Sequence, residues 1–229
     1  MNKAVFAALG TAVLTTAASA DITGAIAVSY SKTVAEFDGS SVTVGITDLY
    51  MTSDDAADTL LNVYDFNLNS SAPASFYQAT TGVGWRPTNL GGPFDNEAVR
   101  QADSFVTIGG FGLSAEQAPG AGGDTGLDPS FGGNDADAPG VNAGWFNSNP
   151  PSAQGLVGET AVGLGVLIGR FSVLGSEGPD LIGTELKATW NQGLGSPGSQ
   201  AQFSVAAIPA PGALALLGLA GLTGRRRRG

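Results

Sequence analysis

The sequence predicts a mainly β protein: a single antiparallel sandwich or jelly-roll-like domain carrying one long glycine-rich loop. Three observations predict it. The 229 residues include 35 Gly and 12 Pro but only 13% charged side chains, a composition of turns and short strands rather than of helical bundles. Apolar residues recur with a period of two in short segments bounded by Gly, Pro, Asn and Asp. Helical periodicity is scarce. Once its two ends are set aside, the chain forms one domain, residues 21–205, of roughly 180 residues, enough to bury a sizeable core.

The first segment, "MNKAVFAALGTAVLTTAASA", has Lys3 as a short positive region and an apolar run over residues 4–13. Ala18 and Ala20 then occupy the small-residue positions before Asp21. This order predicts a secretory signal cut by signal peptidase between Ala20 and Asp21. The apolar run is too short to span a bilayer.

Strands follow. "SVTVGITDLYM" places Val42, Val44 and Ile46 on one face, and "LNVYDFNL" places Tyr64, Phe66 and Leu68 on another. "DSFVTIGG", "VGLGVLIGRFSVL", "ELKATWNQ" and "AQFSVAA" continue the pattern, with Leu186 and Trp190, then Phe203 and Val205, alternating with polar or small neighbours. Two short peripheral helices are expected, one in "SDDAADTLL" with Ser53 as its N-cap and one in "DNEAVRQ". Residues 109–160 hold 13 Gly and 5 Pro and read as a long loop. "AGWFNS" is the strand hidden in it, because Trp145 and Phe146 are costly to leave in water. A division into two domains near residue 110 is the alternative.

The charge pattern excludes several functions. All 20 acidic residues lie between Asp21 and Glu185, and from Asp21 to the terminal arginines only Lys32, Arg86, Arg100, Arg170 and Lys187 oppose them. Such a surface repels a phosphate backbone, so nucleic acid is not an expected partner. No Cys and no His are present, which removes disulfides, zinc-thiolate sites and Ser-His-Asp hydrolysis. A Gly-x-Ser-x-Gly elbow and a phosphate loop are missing, and no carboxylates stand in a recognisable glycosidase motif. The chain therefore reads as a non-enzyme, with no catalytic, cofactor-binding or metal residues assigned.

Two binding readings stay open beside that one. In "GGNDADAPG", Asn134, Asp135 and Asp137, with Asp124 and Asp128 nearby, supply hard oxygen ligands of the kind that hold Ca²⁺. Their spacing fails the EF-hand pattern, so a solvated acidic turn is the simpler reading. The aromatics Trp85, Trp145, Trp190, Phe76 and Tyr77 could form a sugar-stacking platform. Trp190, in an alternating strand, is expected in the core; Trp85 and Trp145 stay open between core and surface.

The far end reads "IPAPGALALLGLAGLTGRRRRG". Residues 212–224 contain five Leu, three Ala, four Gly and one Thr. As a helix that run is ~20 Å long, against a hydrocarbon core of ~30 Å. Moving four arginines through the bilayer centre costs about 10 kcal/mol or more. Arg225, Arg226, Arg227 and Arg228 therefore stay cytoplasmic and hold the exported domain at the inner membrane for a time.

This end resembles the PEP-CTERM sorting signal: a Pro-x-Pro motif, a short Leu/Gly/Ala helix and a terminal arginine cluster. The matching positions are Pro209 and Pro211 and the run from Arg225 to Arg228; Ala210 departs from the motif's Glu. The resemblance covers about the last 22 residues. It implies recognition by an exosortase-type membrane protease, then release to, or attachment at, the surface of a bacterium that makes exopolysaccharide. A plain C-terminal anchor is the alternative. The expected function is that of an exported, non-enzymatic surface or matrix protein, structural or adhesive in a biofilm. The runner-up is a carbohydrate-binding, lectin-like module that contacts extracellular polysaccharide, with or without Ca²⁺.

Overall fold

A computed structural model of the chain describes residues 21–88, 90–132 and 136–208. Ala18 and Ala20 of the expected signal cleavage site lie outside the described residues. So do Pro209, Ala210, Pro211 and the arginines Arg225, Arg226, Arg227 and Arg228.

The protein is mainly β, as its alternating segments predict. β1 (Ile22–Ala35) and β2 (Ser41–Ser53) form a long hairpin. Its turn is closed by Glu36 N donating to Ser40 O, with Gly39 at a φ of 84° that favours glycine. β8 (Gly163–Leu174) lies against β2, and β4 (Phe105–Val106) and β7 (Gly158–Thr160) pair along the outer edge of β8. The other half is built around β3 (Thr59–Asn67), which sits between β6 (Ala143–Asn147) and β9 (Glu185–Asn191). β5 (Thr125–Leu127) borders β6, and β10 (Ser199–Ala207) borders β9.

The halves differ from the predicted all-antiparallel arrangement at their junction. β1 and β10 run parallel, paired through Ala25 with Val205, Ile26 with Ala206 and Ala27 with Ala207. The result is one mixed sheet that curls until it is nearly a barrel. On the far side the segment before β7 reaches across to β3: Leu60 N donates to Gly155 O and Val157 N donates to Asp58 O, each at 2.9 Å. Parallel pairing needs a long crossover. Alternation within single segments carries no information about it.

Between the halves lies the main core. Leu49 and Met51 of β2 and Ile168 and Phe171 of β8 meet Leu60, Val63 and Phe66 of β3, Trp145 of β6 and Trp190 of β9. Aromatic rings fill the centre: Phe66 packs edge-on to Trp145 at 5.2 Å, and Phe171 stacks on Phe66 at 5.7 Å. Such pairs add about 0.5–1.5 kcal/mol each beyond area burial. "LNVYDFNL" departs from strict alternation. Asp65 adopts φ 48°, and the register slips on both sides of β3. This bulge turns Val63 and Phe66 to the core and leaves Tyr64 and Leu68 only half-buried.

β2 is buried on both faces because a second layer covers its back. Val44 and Ile46 share their face as expected, packed against Val34, Ala79, Ala98 and Val99. The helix in "DNEAVRQ" is α1 (Glu97–Gln101), capped by Asn96, whose side chain accepts from Val99 N. It is not peripheral: Ala98 and Val99 are fully buried. "SDDAADTLL" forms no helix. Ser53 ends β2, and its Oγ accepts from Asp55 N and donates to Asp58 Oδ2, capping a turn between strands. The stretch 109–160 contributes β5, β6 and β7 to the sheet. Ala206 and Ala207, beyond the expected domain end, belong to β10. Among the described residues no helix is long and apolar enough to cross a membrane.

Closure of the curl depends on a missing side chain. A Cβ at Gly155 would lie 2.0 Å from the Leu60 carbonyl oxygen, whereas one at Gly158 would meet nothing within 4 Å. Gly155→Ala is expected to destabilise the protein by about 1–3 kcal/mol. Gly158→Ala should be neutral or slightly stabilising. Urea denaturation midpoints of the two variants check this directly.

Candidate functional site

The residues singled out in the sequence scatter over the fold. Asp21, at the head of β1, donates its backbone N–H to Asp54 Oδ1 at 2.8 Å. Asn134 and Asp135 lie outside the described residues. Asp128 Oδ1 accepts from Ser130 N, Asp124 Oδ2 from Asn149 Nδ2 at 3.5 Å, and the Asp137 carbonyl from the Trp85 indole. Among the described residues no three carboxylates gather into a candidate metal site.

The proposed aromatic platform is interior. Trp85, Trp145, Trp190 and Phe76 are all buried, and the indole N–H of Trp145 is satisfied by the Thr107 carbonyl. Tyr77 is half-buried and donates to Glu36; burial, reinforced by that carboxylate, raises its pKa. A buried tryptophan with its N–H paired is a packing element and offers no face to a ligand.

Beneath the covering layer sits a charged cluster. Arg170 on β8 is opposite Asp48 on β2 and makes two hydrogen bonds to it, Nε to Oδ1 at 2.7 Å and Nη2 to Oδ2 at 3.1 Å. Nη2 also donates to Ala115 O and to the Tyr30 hydroxyl, Nη1 donates to Arg100 O, and the cation lies 5.6 Å from the Phe105 ring centre. Burial disfavours the cation, but Asp48 more than offsets this, so the guanidinium pKa is raised. The Tyr30 phenol is raised chiefly by burial.

Asp103 is a second interior carboxyl. It accepts from Ala79 N at Oδ1 and from the Thr88 hydroxyl at Oδ2. Burial pushes its pKa up to about 8, against the lowering effect of those hydrogen bonds and of Arg170. A carboxyl shifted that far is a standard candidate for acid–base work. This one is fully buried.

An open site exists on the outward face of the β5–β6–β3–β9–β10 half. Cross-strand partners there form a row: Gly126, Phe146, Asn62, Thr189 and Gln200. The Phe146 ring lies over Gly126, where a Cβ would come within 2.7 Å of ring carbon Cζ. Phe146 remains 43% exposed. Thr189 Oγ1 donates to Asn62 Oδ1 at 2.8 Å. Beside this row runs a groove of about 450 Å³, walled by Pro150 and Pro151 on one side and by the β9–β10 turn, with its exposed Leu194, on the other. None of its lining residues is charged.

Asn147, at the end of β6, also lines the groove and is only 5% exposed. Its Oδ1 accepts from Asn149 N at 2.8 Å, which fixes the orientation of the amide. Its Nδ2 is buried with no hydrogen-bond partner. Strand alternation within "AGWFNS" is the signal that separates Trp145 from Phe146, sending Trp145 inward and Phe146 out.

Comparison with family models, with curated proteins and with solved structures finds no match.

Two outcomes test the interior charges. Arg170→Met strands Asp48 and should cost about 3–5 kcal/mol in chemical denaturation, most of which Arg170→Met combined with Asp48→Leu should restore. The carboxyl of Asp103 binds its proton more tightly in the folded chain than in the unfolded one. Its contribution to stability is full below pH ~4 and is lost as pH rises toward 8. Asp103→Asn should remove a downward slope of up to ~1.4 kcal/mol per pH unit across that window. Denaturation series at pH 5, 6.5 and 8 read it.

Proposed function

We propose that the chain is an exported, non-enzymatic protein of the cell surface or extracellular matrix, delivered by an N-terminal signal and a PEP-CTERM-like C-terminal segment, with a structural or adhesive role. The observation that carries this reading is where the sheet starts and stops. β1 begins at Ile22, one residue after the expected signal cut, and β10 ends at Ala207, two residues before Pro209. Both expected cuts therefore leave every described strand residue in place.

The first cut also suits its surroundings. Asp21 N already faces the Asp54 carboxylate. Cleavage after Ala20 would turn that amide into an α-ammonium, largely charged at neutral pH, and so convert a neutral hydrogen bond into a charge-assisted one. Two half-sheets facing each other across one core support a sandwich-like scaffold that stands without disulfides.

Mass spectrometry of the mature protein tests the proposal. The expected chain begins at Asp21 and ends close to Pro209. A mature chain that keeps Arg225–Arg228 would replace sorting with plain anchoring, and one that still begins at Met1 would overturn export.

A further inference from the structure

We infer that the groove beside Phe146 binds a neutral, hydroxyl-rich saccharide chain. Four features of the site converge on that chemistry. The Phe146 ring is held across β5 by the absent side chain of Gly126 and keeps an exposed surface, the kind of apolar platform on which the C–H face of a sugar ring packs. Asn147 also lines the groove, and its Nδ2 is left without a hydrogen-bond partner. Asn62 and Asn191 line the same groove and add amide groups that both donate and accept, as hydroxyls require.

The fourth feature is the absence of charge. In a chain with 20 acidic and 10 basic residues, every residue lining the groove is neutral. An anionic ligand would find no cation there and would approach an acidic protein; a cationic one would find no carboxylate to pair with. The volume, about 450 Å³, lies within the range of small-ligand sites.

A peptide is the less suitable occupant. Extended peptides gain affinity by adding a strand to a free sheet edge. Here the groove lies on a sheet face, and β6 is paired on both sides, with β3 and with β5. Its backbone donors are spent, leaving side-chain amides and one ring to do the recognition.

The inference rests on the surface reading only in that export brings the protein to extracellular polysaccharide. Its test reads the groove, whereas mass analysis reads the ends, so the two can fail separately. The purified full chain is applied to an array of neutral glycans (glucans, galactans, mannans, xylans), acidic glycans (alginate, hyaluronan) and proline-rich peptides. Binding to at least one neutral glycan is expected, insensitive to about 0.5 M NaCl. Phe146→Ala should weaken it by about tenfold or more, and Phe146→Trp should retain it. Leu194→Asp, on the opposite wall, should weaken it too. Because both positions are exposed, one on a strand face and one in a turn, unchanged thermal melts would separate lost binding from lost fold. No binding to any neutral glycan, binding confined to acidic glycans or to peptides, or neutral-glycan binding untouched by Phe146→Ala in a folded protein would each overturn the inference.

Discussion

Arg170 comes from the middle of an apolar strand and is buried, yet each of its guanidinium nitrogens has a partner. Its partners come from four separate segments: Asp48 on β2, Tyr30 on β1, and the carbonyls of Arg100 and Ala115 in the covering layer. Removing a charge from water costs several kcal/mol, and the cost is met only if all of these groups arrive together. That requirement couples the hairpin, β8 and the segment running from α1 to Ala115. The packing of Ala98 and Val99 on Val44 and Ile46, and hence the burial of β2 on both faces, depends on the same alignment.

Much of the sheet was legible because period-two alternation is local. The strands through Ile46, Trp190 and Val205 follow from neighbours alone. What alternation cannot supply is pairing. The parallel contact of β1 with β10 joins residues about 180 positions apart, and the bulge at Asp65 needs a left-handed backbone at a residue type that tolerates it but does not announce it. Ser53 illustrates a different failure. A serine followed by acidic residues resembles a helix cap, but the same hydroxyl serves equally well in a turn between strands, and the tertiary pairing of β2 and β3 decided between them.

The site was less legible than the fold. Tryptophans attract attention as ligand platforms, and here all three are buried. The exposed ring is a phenylalanine, made available by a glycine on the neighbouring strand, a relation between Gly126 and Phe146 that only the register of β5 against β6 creates. Asn147 drew no notice in the sequence because an asparagine at a strand end is ordinary; its unpaired amide nitrogen exists only once Asn149 has claimed the other end of the side chain. In the acidic stretch, the Asp128 carboxylate caps a local turn, while that of Asp124 meets Asn149 from a distant part of the chain.

The direction of the final strand sets how the molecule bears load. A pull on the chain beyond Ala207 acts along the axis of β10, which is paired at six positions with β9 and at three with β1. Tension applied in that geometry slides the strand against both neighbours and strains these contacts in parallel, where a pull across the strand would peel them one after another. Against a pull along its axis, β10 is thus held by two neighbours at once.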